Sequence, residues 1–145
     1  MNMRLRRLLR LTRSDVALLC RAALMLLWIR FLLSIRPWNR FASPATRTRN
    51  VRAMAPCVAR VEWAVIAAGR FIPRTTCLTR ALTLHRLLSR SGYRSNVQFG
   101  IRYVDGRFAA HAWVEHEARL LLSKPSDIAR YVRLFAWPPS QPDLS

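Results

Sequence analysis

Near Asn96 the spacing of apolar side chains changes from every third or fourth residue to every second, and this constrains the fold more than any other feature of the chain. Before it, Leu78, Leu82, His85 and Leu88 fall on one side of a helix, and Leu84 and Leu87 broaden that side. After it, Val97, Phe99, Ile101 and Tyr103 alternate with Asn96, Gln98, Gly100 and Arg102, the period of a half-buried strand. Asp105-Gly106 then signals a tight turn. Phe108, Ala110, Ala112 and Val114 next alternate with Ala109, His111, Trp113 and Glu115, which predicts a hairpin. A short third strand over 119–123 continues the meander, and Pro125 leads into a last short helix over 127–134.

The upstream half reads as helical. Thr12 or Ser14 can cap a helix that runs to Ile35, with Asp15 in its first turn, and Arg36-Pro37 stops it. Residues 38–50 read as an exposed connection. A second helix is predicted from Val51 to Arg70, with Gly69 and Pro73 bracketing its end. Helices followed by an antiparallel sheet make an α+β fold. A chain of 145 residues, 52% of them hydrophobic, suits one domain with a sizeable core. It divides into a helical region with its connection (1–50), a core (51–135) and a loose Pro-rich tail (136–145).

A basic start, Met1 to Arg13, precedes the mostly apolar stretch Val16–Ile35. Arg21 and Arg30 interrupt that stretch and leave only Ala22–Ile29 continuous, short of the roughly 20 residues a membrane span needs. A buried or interfacial helix is expected instead, with peripheral membrane contact as the lesser alternative. The net charge is +18, from 25 basic and 7 acidic residues, and Lys124 is the only lysine. Arginine suits phosphate, carboxylate and anionic lipid. Here it is spread along the whole chain, as a GC-rich coding sequence would spread it, not gathered into the compact stripe of a nucleic-acid binder. Cys20, Cys57 and Cys77 are odd in number and form no CxxC pair, so neither a disulfide framework nor a zinc ribbon follows, and a reducing cytoplasm is the simplest compartment. No phosphate-binding glycine loop, metal-ligand cluster or paired-carboxylate site is visible, and no cofactor is expected.

Two residues stand out chemically. Cys77 falls in the first turn of a helix, where unpaired N–H groups and the helix dipole favour an anion, and Arg74 and Arg80 lie close by in sequence. A thiolate is the nucleophilic form of cysteine. His111 lies mid-strand between two alanines, on the face opposite Ala110 and Ala112, and imidazole is the usual partner of an activated thiol. Taken singly, a packed cysteine and a hydrogen-bonded structural histidine explain each residue as well. His85 reads as a helix residue satisfied locally, His116 as a solvated turn residue, and Cys20 as packed in its apolar stretch.

A helix whose first turn carries Cys, followed by a strand carrying His, resembles the papain-like and transglutaminase-like arrangement. The stretch Pro73-Arg-Thr-Thr-Cys-Leu-Thr-Arg-Ala-Leu-Thr-Leu-His-Arg-Leu-Leu-Ser-Arg-Ser-Gly92 is similar to the cysteine helix of the lasso-peptide leader peptidases, and Phe108-Ala-Ala-His-Ala-Trp-Val-Glu115 to their histidine strand. The separation of 34 residues between Cys77 and His111 also fits, and the specific resemblance covers about residues 60–118. It implies a cysteine peptidase that removes the leader from a ribosomally made precursor peptide. It further implies a following cyclase that resembles asparagine synthetase, and a separate leader-binding protein, since the region before Cys77 does not look like a winged-helix leader binder.

One departure bears on the site. The family's third residue is usually an Asp about twelve residues beyond the His, and here that position is Ser123. Glu115 shares the His111 face but lies roughly 13 Å along the strand. Ser123 is the expected orienter of the imidazole, with Asp127 as the other candidate and an inactive homologue as a third outcome. A transglutaminase or amidase would use the same Cys–His pair. A non-catalytic basic module for membrane surfaces or nucleic acid is the alternative from a different class.

Overall fold

The computed structural model describes residues 12–35 and 56–137. Three helices come first: α1 (Arg13–Ile35), α2 (Val58–Phe71) and α3 (Cys77–Arg90). Strands β1 (Asn96–Val104), β2 (Arg107–His116) and β3 (Arg119–Leu121) follow, then the single turn α4 (Pro125–Ile128) and strand β4 (Val132–Trp137). The architecture is α+β: helices packed on one face of a four-stranded antiparallel sheet of order β3-β2-β1-β4.

The local signals explain most boundaries. Asp15 accepts the Thr12 N–H at the start of α1. Thr76 caps α3, its hydroxyl accepting the Thr79 N–H at 3.2 Å. Gly92, with φ of 82°, ends α3 where a left-handed residue is wanted. Asp105 and Gly106 both take positive φ, which lets a two-residue turn close the β1–β2 hairpin.

Four expectations need correction. Pro56 lies outside the helix and Cys57 is extended, so α2 starts at Val58 with Cys57 as its N-cap; positions 51–55 lie outside the described residues. The third strand ends at Leu121, because Leu122 takes φ of 67° and breaks the extended run before Ser123. The helix predicted over 127–134 is one turn over Pro125–Ile128, and the chain then turns back as β4. β4 pairs antiparallel with β1 from Val97↔Trp137 to Ile101↔Val132, with a register shift between Phe99 and Gly100. That long-range pairing overrides the local preference, replaces a simple meander, and claims Ala136 and Trp137 from the expected tail. Positions 138–145 lie outside the described residues.

The core lies between the helices and the sheet. Leu18, Ala22, Leu26 and Ile29 of α1 meet Val61, Ala64 and Val65 of α2 and Leu84, Leu87 and Leu88 of α3. Val97, Ala112, Val114, Leu121 and Trp137 close the cluster from the sheet. α1 and α2 run in the same direction: Arg60, near the start of α2, pairs with Asp15, and Arg30, late in α1, donates to the Pro73 carbonyl just beyond α2. α1 has the extent expected for it, Arg13–Ile35. By length and composition alone it would suffice to cross a membrane, yet one side of it belongs to this core. Cys20, expected to be packed, is exposed on α1.

Candidate active site

The alternation read from the sequence sorts β2 into two faces. Ala112 and Val114 point into the helical core. His111, Trp113 and Glu115 belong to the other face, where the rings of His111 and Trp113 stack at 6.1 Å between centroids and Trp113 Nε1 donates to Glu115 Oε1 at 3.3 Å. Trp113 is fully buried although it faces away from the helices. The return of the chain through Tyr131 and β4 covers it: Arg133 reaches over the indole and pairs with Glu115 at 2.9 Å. Glu115 also accepts from Gln98, so its carboxylate is committed away from the imidazole.

His111 sits directly opposite Gly100 in the ladder. A side chain there would collide with Trp113, its Cβ lying 2.9 Å from the indole carbons and 3.1 Å from Tyr131 Cβ. Glycine therefore lets the indole and Tyr131 close over the strand beside His111. The Tyr131 ring lies 5.4 Å from the imidazole and tilted to it, and the Arg102 guanidinium lies over the Tyr131 ring, 5.0 Å from its centroid.

The His111 ring makes one hydrogen bond among the described residues: its Nε2 lies 2.9 Å from Ser123 Oγ. The turn after β3 makes this contact possible. Leu121 is buried in the core, Leu122 takes the left-handed conformation, and its N–H donates to the Glu62 carboxylate of α2 at 2.8 Å. Ser123 is thereby swung out of the strand line towards the imidazole. Asp127 does not hydrogen-bond the ring; its carboxylate accepts the Lys124 N–H at 3.3 Å. It does line the same cavity, of about 530 Å³, together with Arg102, His111, Ser123, Arg130 and Tyr131. Burial lowers the His111 pKa below the ordinary imidazole value; the Asp127 charge pushes it back up, and the Arg102 charge adds to the lowering. The neutral ring is thus favoured, and Nε2 is engaged by Ser123 while Nδ1 has no hydrogen-bond partner among the described residues.

Cys77 is at the first position of α3, as expected, half-buried and packed against the helical core. Thr76 takes up the Thr79 N–H with its hydroxyl and the Arg80 N–H with its carbonyl. Among the described residues no hydrogen bond joins Cys77 to His111, and the thiol is not part of the cavity lining. The structure thus brings His111, Ser123 and Asp127 to one cavity and leaves Cys77 outside its lining, at the start of α3.

The remaining histidines are structural. His85 Nδ1 lies 3.0 Å from Ser95 Oγ, across to the next segment and not within its helix, and its ring meets Trp137 edge-on. His116, expected in a solvated turn, is buried at the end of β2, where it bonds the Arg94 carbonyl and meets the Tyr93 ring. Sequence reasoning missed Glu62, Arg102 and Tyr131: Glu62 reaches the site from α2, 60 residues before Leu122, Tyr131 comes from the turn before β4, and Arg102 lies on β1, where the alternation that pairs Gly100 with His111 already put it on the His111 face. Among the described residues no group of three His, Cys, Asp or Glu side chains is placed to hold a metal ion.

No curated protein and no solved structure shows significant similarity to the chain. The sequence model of the transglutaminase-like superfamily matches residues 16–136, from the first turn of α1 to the end of β4. That range takes in the cysteine helix, the histidine strand and the turn that carries Ser123, and the chain belongs to the transglutaminase-like superfamily.

Proposed function

We propose that the protein is a cysteine peptidase that removes the leader from a lasso-peptide precursor, with Cys77 as nucleophile, His111 as base and Ser123 as the residue that orients the imidazole. Membership of a superfamily built on Cys–His chemistry supports the reaction class. The observation that carries the residue roles is the 2.9 Å contact between His111 Nε2 and Ser123 Oγ. A hydroxyl that accepts the Nε2 proton holds the tautomer whose Nδ1 can take a proton from a thiol. Catalytic hydrogen bonds are often long before substrate binds and tighten in the complex, so the Cys77–His111 pair is expected to close around the scissile peptide.

In this scheme the Cys77 thiol passes its proton to His111 as the sulfur attacks the scissile carbonyl. His111 returns the proton to the leaving amine, and an acyl-enzyme remains. Water then attacks the thioester with His111 again as base, which frees the leader carboxylate and the thiol. A separate leader-binding protein would raise the local concentration of the scissile bond, and an asparagine-synthetase-like cyclase would take the freed core peptide.

The test is mass spectrometry of a precursor peptide encoded beside the gene, incubated with the chain and with the leader-binding protein. Cleavage into leader and core, lost in Cys77→Ala and kept in Cys20→Ala and Cys57→Ala, is the expected result. Full cleavage by Cys77→Ala would remove the enzymatic assignment. An amine adduct in place of the hydrolysed product would move it to acyl transfer.

A further inference from the structure

We propose that the outer face of α1, with Phe71 at the end of α2, docks the protein on an anionic lipid bilayer. α1 has 23 residues, roughly 34 Å of helix. Its inner side, with Leu18, Ala22, Met25, Leu26 and Ile29, is spent on the core. Its outer side is also apolar: Leu24, Leu27, Trp28, Phe31 and Ile35 are all at least half exposed, Leu24 the most at 67%. These positions recur every three or four residues and form one stripe along the helix. Trp28 and Phe31 touch, with ring centroids 6.4 Å apart. Because α1 and α2 run in the same direction, Phe71, 82% exposed, lies at the same end as Trp28, Phe31 and Ile35.

Charge selects the occupant. Arg13 and Arg21 are exposed on α1, and Arg70 and Arg74 flank Phe71. Asp15 and Glu62 are the only acids in the chain before Asp105. Both are committed, Asp15 to Arg60 and Glu62 to the Leu122 N–H. Among the described residues of α1, α2 and the loop to Cys77, every charge beyond these two engaged acids is cationic. A helix with an apolar outer side, a tryptophan and arginines at its margins is built to lie in the plane of a headgroup layer that carries negative charge. It does not cross, since its inner side is held by α2 and α3. The loop from Phe71 leads through Pro73 directly to Cys77, so docking holds the start of α3 beside the lipid surface.

The experiment is co-sedimentation of the full chain with vesicles of phosphatidylcholine alone and of phosphatidylcholine with phosphatidylglycerol. Binding to the mixed vesicles is expected, falling as salt is raised and much weaker on phosphatidylcholine. The combined Leu24→Gln, Phe31→Gln and Phe71→Gln variant should bind roughly tenfold or more weakly with an unchanged circular-dichroism spectrum. Lipids brominated in the acyl chain should quench fluorescence in the parent protein, and Trp28→Phe should remove much of that quenching, a readout that stands if the combined variant fails to fold. Equal binding by a folded combined variant overturns the proposal, because charge alone then suffices. So does failure to bind mixed vesicles, or a concentration-dependent dimer abolished by the same three substitutions in place of lipid binding.

Discussion

The Glu62 carboxylate of α2 accepts the backbone N–H of Leu122 at 2.8 Å and so ties a helix to the residue just before Ser123. Leu122 is held in a left-handed conformation that an unsupported leucine rarely adopts. Glu62→Ala would leave this N–H without a partner, at a cost of about 1–3 kcal/mol. The melting temperature should fall, and precursor cleavage should fall several-fold with a changed pH profile. Glu62→Gln keeps a carbonyl oxygen and should restore most of both. Equal loss in the two variants would mean that the carboxylate charge, not the hydrogen bond, matters.

The orienter prediction separates Ser123 from Asp127. Ser123→Ala should reduce cleavage several-fold, and Ser123→Asp should preserve or raise it. The serine-protease case sets the upper bound, where changing the triad Asp to Asn costs about four orders of magnitude. Asp127→Asn should be near neutral for cleavage, because its carboxylate is bonded to the Lys124 N–H and not to the ring. If Asp127→Asn is the damaging change and Ser123→Ala is silent, the role passes to Asp127.

The titration of His111 provides a readout independent of substrate. Its pKa is lowered first by burial, with Asp127 raising it and Arg102 lowering it. Asp127→Asn should therefore lower the pKa further, and Arg102→Gln should raise it, as followed by the imidazole Cε1–H resonance in NMR. Shifts of the opposite sign would show that the two charges do not face the ring.

Gly100→Ala should damage both packing and site. The added methyl would meet Trp113 at 2.9 Å, and that indole is fully buried and has nowhere to move. Overpacking of this kind costs about 1–3 kcal/mol. Thermal melting should record the loss, and because Trp113 stacks on His111, the His111 resonances should shift as well.

Acid should weaken the fold through His85. Burial lowers its pKa from the ordinary 6.5 to about 4 in the folded protein. Between those values the unfolded chain binds a proton that the folded one does not, so stability is full above the unfolded pKa and falls as the pH drops from about 6.5 towards 4. The full loss is roughly 3 kcal/mol. Urea titrations at stepped pH should show this slope, and His85→Gln should flatten it.

The sequence by itself determined the elements whose signals are local. The 3.6-residue period and the Thr76 cap specify α3 and put Cys77 in its first turn, the Asp105-Gly106 turn specifies the hairpin, and strict alternation assigns His111 to the face away from Ala112. The resemblance to the leader peptidases, whose third residue lies about twelve residues beyond the histidine, pointed to Ser123 or else Asp127, and the Ser123 hydroxyl is the one that lies 2.9 Å from the ring. Tertiary structure decided what local signals cannot carry. β4 forms because β1 has a free edge for Val132–Trp137 to pair with; Tyr131, Val132, Phe135 and Trp137 suit a strand, but the edge that receives them is visible only in the folded chain. The bend at Leu122 depends on a carboxylate 60 residues earlier. Cys20 is exposed and His116 buried because packing, not the hydropathy of the neighbouring sequence, sets which side of an element meets the core. Local signals fix the period of an element; only the packed chain fixes what lies against each of its faces.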